Sequence, residues 1–147
     1  MKKTIALLSA LLFLQACTVG GNYSTPLHLI TAKEFDASAM VAMRSMPRSA
    51  GPVVELISPS SGTVDGDFRL EIAFGPSSSA AEPDMSSLKL YGNGGQLDLT
   101  ARVGEYVSGD RLLMPAVKLP AGTHSLWLEI VDEAGGVTQQ EIKLIAR

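Results

Sequence analysis

From Gly51 onward, apolar and polar residues alternate with a period of two. Phe68, Leu70, Ile72 and Phe74 fall on one side of a run whose other side carries Arg69 and Glu71. Such alternation predicts strands with one buried face. The same reading gives seven short strands, over residues 53–57, 67–74, 87–91, 96–103, 111–119, 123–132 and 137–145. Stretches rich in Gly, Ser, Pro and Asp separate them, at 58–62, 75–84, 92–95 and 132–136, and mark turns. Leu97 and Leu99 are read as inward. Pro115 interrupts the fifth strand and predicts an edge or a bulge there. In the sixth, His124, Leu126, Leu128 and Ile130 face in, while Ser125, Trp127, Glu129 and Val131 face out. Short strands with turn signals about every 8–12 residues predict an all-β sandwich over 51–147.

Ahead of the strands the period becomes helical. Thr31, with Glu34 three residues on, forms a capping box that starts a helix near Ala32. Phe35, Ala39, Ala42, Met43 and Met46 follow at helical spacing, and Pro47 ends the segment. One short amphipathic helix is expected within 31–47. Residues 17–30, containing Gly, Ser and Pro, read as a flexible tether. At about 3.3 Å per residue, the step from Cys17 to Thr31 spans roughly 45 Å.

The chain opens Met1-Lys2-Lys3 and then runs apolar to Leu14. A short basic start and an apolar run that stops well below the roughly 20 residues of a membrane span predict a secretory signal peptide. Its end, Leu14-Gln15-Ala16-Cys17, resembles the lipobox of bacterial lipoproteins. That resemblance implies cleavage before Cys17 and acylation of its thiol and its new amino group, with palmitate-type chains as the membrane anchor. Each buried methylene contributes about 0.8 kcal/mol, so several chains hold firmly. Thr18, where an inner-membrane lipoprotein carries Asp, implies sorting to the outer membrane, facing the periplasm. The expected organisation is a signal peptide over 1–16, a lipid-anchored tether over 17–30, a helix over 31–47 and a sandwich over 51–147.

Residues 119–136, LPAGTHSLWLEIVDEAGG, resemble bacterial immunoglobulin-like modules through Leu119, Gly122, His124, Asp132 and Gly135. The resemblance implies an Ig-like sandwich of about seven strands. There is no Cys…Trp…Cys core, and a transthyretin-like sandwich is the alternative topology.

Charge narrows the function. The formal net charge is −3, and Lys2 and Lys3 are the only charges within 1–16, so the mature chain carries −5. An acidic chain without a basic run is a poor match for nucleic acid or for electrostatic docking on anionic lipid. The single cysteine precludes an intrachain disulfide. Two histidines and no G-x-S-x-G or H-E-x-x-H motif leave no assembled catalytic site, so the expectation is a non-enzyme with no cofactor beyond the lipid on Cys17.

Other chemistries remain as alternatives. Met40, Met43 and Met46, with His28, offer soft donors for copper, although thioethers also fill apolar seams. Asp65 and Asp67 in one turn and Asp132 and Glu133 in another offer oxygens for calcium if the two turns share an end of the sandwich, as in an adhesin-like Ig module. His124 reads as a structural core residue. Trp127 is an outward-facing aromatic with Val131 on the same face. Either Phe35, Met43 and Met46 cover it, or Trp127, Val131, Phe35, Met43 and Met46 together form a partner surface. Sugar stacking has only Tyr23, Tyr91, Tyr106 and Trp127 to draw on. The expected function is a membrane-anchored periplasmic binding or scaffold module of an envelope protein assembly. A copper-handling lipoprotein and a hydrolase with no visible site are the alternatives from other classes.

Overall fold

Period-two alternation becomes two packed sheets. The computed structural model describes residues 25–37 and 48–147. Its strands are β1 (Leu27–His28), β2 (Arg48–Ser49), β3 (Val53–Ser58), β4 (Thr63–Val64), β5 (Phe68–Gly75), β6 (Pro83–Gly92), β7 (Leu97–Asp98), β8 (Val107–Ser108), β9 (Arg111–Lys118), β10 (Gly122–Asp132) and β11 (Val137–Ala146). Two short α-helices, α1 (Ala32–Ala37) and α2 (Thr100–Val103), and two 3-10 turns, Asn93–Gly95 and Gly104–Tyr106, complete the set among the described residues. The first sheet runs β1-β9-β5-β3, with β8 beside the start of β9. The second runs β2-β11-β10-β6-β7, with β4 parallel to the end of β11. The molecule is an all-β sandwich. Among the described residues no helix is long and apolar enough to cross a membrane.

The inward positions of both layers form one cluster. Leu70, Ile72, Leu112, Met114, Leu90, Leu126, Ile130 and Leu144 have no exposed surface. Burying each such side chain contributes about 1.5–3 kcal/mol. Pro115 falls where β9 slips against β5, between the pairs Leu70↔Met114 and Phe68↔Val117. The bulge expected from its missing N–H is there. A larger irregularity interrupts β6, where Lys89 pairs with Glu129 but Asp84 with Val131. The extra residues are held by Asp84, which accepts from the Ser86 N–H (3.0 Å) and hydroxyl (2.6 Å). Ser87 bridges to β10 by accepting the Val131 N–H at 2.9 Å.

Two expectations need correction. Residues 27–30 are not tether: β1 pairs in parallel with β9, and Leu29 and Ile30 are completely buried. The short run Leu-His-Leu-Ile lacks the length to declare a period, and only the sandwich supplies its apolar surroundings. The predicted strand over 96–103 is extended only at Leu97–Asp98. Leu99 and Val103, four apart, both turn into the core as a helical turn. Asp98 starts that turn by accepting the Thr100 N–H at 2.8 Å, the local capping that Asp and Thr favour.

The predicted capping box is formed. Glu34 accepts from the Thr31 N–H (2.9 Å) and hydroxyl (2.8 Å), and Thr31 Oγ1 accepts the Glu34 N–H at 3.3 Å. The described helix ends at Ala37; the remainder of the expected helix, to residue 47, lies outside the described residues. Arg102 ties α1 to the sandwich, bonding both Glu34 oxygens and donating to the Leu29 carbonyl at 2.8 Å. Arg102 and the capping contacts together hold the Glu34 carboxyl down at about 2. Asn93 adds a bond to the Glu34 carbonyl at 3.1 Å. Phe35 lies over Gly122, whose φ of +139° and bare Cα leave room for the ring; a Cβ there would stand 2.8 Å from it.

Candidate functional site

The outer face of the second sheet is assembled by register. Trp127 in the middle of β10 stands opposite Tyr91 on β6 and Glu141 on β11, and Tyr91 stands opposite Asp98 on β7. The four side chains make one row across the sheet. The next row is Lys89, Glu129 and Gln139, and these are bonded together. Lys89 meets Glu129 at 3.3 Å and the Gln139 amide donates to its other oxygen at 2.6 Å. The Gln139 amide foremost, with Lys89, outweighs burial and lowers the pKa of Glu129. On the opposite side of the aromatic row, Ser125 donates to Glu141, and Lys143 approaches Glu141 at 3.8 Å. Trp127 and Tyr91 are both partly exposed.

Several candidate residues do not join this face. Phe35 belongs to the inner side: its ring packs on His124, with centroids 4.7 Å apart and planes tilted by 42°. His124 and Trp127 are three residues apart on one strand and so point to opposite faces. Phe35 therefore does not cover Trp127, nor does it share a surface with it. Val131 does share the outer face, opposite Val137, but Glu129 stands between it and Trp127. The apolar surface expected from Trp127 and Val131 is thus split by a charged row. Met43 and Met46 lie outside the described residues.

His124 is buried, as the alternation predicts. Its Nε2 bonds the Pro120 carbonyl at 2.7 Å, so Nε2 carries the proton; Nδ1 is buried without a partner. Asp132, also buried, organises the turn between β10 and β11. It accepts from the Ala134 and Gly136 N–H groups at 2.9 and 2.6 Å. Burial opposes its charge, but the turn's backbone donors, led by the Gly136 N–H, prevail and lower its pKa.

The calcium arrangement does not assemble. Asp132 is the last residue of β10 and Glu133 follows it. Asp65 and Asp67 adjoin β4, beside Ile145 and Ala146, which pair with the first residues of β10. Eleven residues of strand separate these two ends by about 33 Å. Asp67 instead approaches Lys118 at 3.9 Å. Of the copper candidates, His28 lies exposed on β1, whereas Met40, Met43 and Met46 lie outside the described residues, as does Cys17. Among the described residues no three His, Cys, Asp or Glu side chains converge on a point that would hold a metal.

Two other features stand apart from this face. A shallow groove of about 420 Å³ opens beside the β6 irregularity, between Met85, Leu88, Val103 and Val107, with Ser86, Thr100 and Gly104 at its margin. On the outer face of the first sheet, Glu71 is covered by two arginines. Arg111 donates at 2.6 Å and Arg69 at 2.7 Å, and with Arg111 as the leading cause they lower its pKa. Each carboxylate oxygen is taken, which makes the triad a clamp between β5 and β9.

The contributions of Tyr91, Glu129 and Gln139 to the Trp127 face escape a reading of the sequence. Alternation puts each on an outer face, but no local signal says which strands are neighbours. The chain matches no protein-family model and no curated protein sequence.

Proposed function

We propose that this chain is a lipid-anchored envelope protein whose sandwich binds a partner through the outer face around Trp127 and performs no catalysis. One observation carries the reading: an aromatic pair stands in the middle of an outer sheet face, on a scaffold whose own core is already filled. Scaffold rigidity fixes the row Asp98, Tyr91, Trp127 and Glu141, while the anchor confines it near a membrane and raises its effective concentration toward neighbours.

The order β3-β5-β9-β8 facing β11-β10-β6-β7 supports an Ig-like assignment, since it follows the strand order of that sandwich. The positions that carry the resemblance also have structural work. Gly122 admits Phe35, His124 bonds Pro120, Asp132 holds the turn, and Gly135 takes a φ of +87°. With β1 docked, the free tether shortens to the steps between Cys17 and Leu27, about 33 Å fully extended. It joins the first sheet at β1, whereas Trp127 belongs to the second. Outer-membrane sorting and the periplasmic orientation rest on the lipobox and Thr18.

Metabolic labelling with radioactive palmitate tests the anchor: wild type is expected to be labelled and Cys17→Ser not. Unlabelled wild type overturns it. For the binding face, Trp127→Ala is expected to abolish cross-linking to an envelope partner while thermal unfolding stays cooperative. If cross-links persist unchanged, that face is not the site.

A further inference from the structure

We propose that the Tyr91–Trp127 row binds a neutral oligosaccharide, a ligand class that rests on the reading of this face as the binding surface. Residues directly opposite on neighbouring strands have Cβ atoms about 4.5–5.5 Å apart. The two aromatic side chains therefore leave the sheet from neighbouring points, a separation comparable to one pyranose ring. The C–H groups on the apolar face of a sugar carry partial positive charge and complement the negative face of an aromatic ring.

The polar groups around the pair favour a hydroxyl-rich ligand over an apolar protein surface. Among the described residues neither the Tyr91 hydroxyl nor the Trp127 indole N–H has a hydrogen-bond partner, and both can act as donors to a ligand. Gln139 spends one N–H on Glu129, and its amide presents further hydrogen-bonding groups beside the aromatic row. Lys89 pairs with Glu129 and Lys143 approaches Glu141, while Asp98 ends the aromatic row with a carboxylate that can accept hydrogen bonds from hydroxyl groups. The row Lys89–Glu129–Gln139 also separates Trp127 from Val131, so the surface lacks the continuous dry centre of a protein interface. What remains is an aromatic strip fenced by fixed planar hydrogen-bonding groups. Because a flat face covers only one side of a sugar, binding is weak, with a dissociation constant of about 1 mM.

Trp127 is the chain's one tryptophan, so its emission reports this site alone. The full chain is titrated with chitotetraose, cellotetraose and maltotetraose. A saturable change in emission is expected with at least one of them. Tyr91→Ala should weaken that response about tenfold, the loss of one stacking partner, and Gln139→Ala several-fold. Neither side chain belongs to the buried core, so both variants are expected to keep the wild-type unfolding transition, and Tyr91→Phe should retain most of the stacking. Emission unmoved by all three sugars overturns the proposal, as does a response that Tyr91→Ala leaves intact. If sugars fail while Trp127-dependent cross-linking to an envelope protein persists, the ligand class is wrong and the binding face stands. If both fail, the face itself is not a binding site.

Discussion

Glu34 offers a direct test of how the N-terminal segment is held. It closes the capping box with Thr31 and bonds Arg102 through both oxygens. Glu34→Gln keeps a residue able to complete the capping box but removes the charge. The carboxyl is held at about 2, against 4.5 for a free side chain. That depression corresponds to about 3.4 kcal/mol at about 1.36 kcal/mol per pH unit. The side chain is 27% exposed, and solvent screening reduces the net effect to about 1.5–2 kcal/mol. Charge-assisted hydrogen bonds removed singly cost a similar amount.

The pH dependence follows from the direction of the shift. The folded state holds the Glu34 proton less tightly than the unfolded state, so the contribution is complete above the unfolded value. It is lost as pH falls from about 4.5 toward about 2. Equilibrium urea unfolding of wild type and variant between pH 7 and pH 2 measures it. The stability difference should stay near 1.5–2 kcal/mol down to about pH 5 and then shrink toward zero. A difference that is the same at both ends of the range would falsify the ion-pair account, and no difference at pH 7 would remove Glu34 from the set of contacts that matter.

Other perturbations separate tertiary burial from local effects. Leu29→Ala should lower stability by about 2–5 kcal/mol in thermal or urea unfolding, whereas a tether residue would cost almost nothing. Gly136→Ala places a Cβ 2.5 Å from the Ala50 carbonyl and 2.6 Å from Asp132 Oδ2, and overpacking of that kind costs about 1–3 kcal/mol. Gly109→Ala meets no atom within 4 Å and bears only its φ of +58°, so a smaller loss of about 1–2 kcal/mol is expected. For the copper alternative, a Cu(I)-dependent rise in unfolding temperature that vanishes when Met40, Met43 and Met46 are all replaced by Leu would establish metal binding, and no rise would end it.

Local chemistry determined much of this fold. Alternation places Leu70, Ile72 and Phe74 inside and Arg69 outside because successive strand side chains point to opposite faces whatever the neighbours are. Thr31 and Glu34 find each other three residues apart, Pro115 disrupts the ladder wherever it sits, and Asp132 with Gly135 makes a turn from its own backbone. Long-range geometry decided the rest. Leu29 and Ile30 are core residues only because β9 and its neighbours leave them a place. Leu97, Leu99 and Val103 satisfy both a strand and a helical spacing, and the closed interior selected the turn that buries Leu99 and Val103 together. Topology, not composition, carried the acidic turns to opposite ends and Phe35 to His124. The same pairing brought Tyr91 beside Trp127, because neighbours across a sheet are chosen by the order in which strands fold back, and no short stretch of chain records that order.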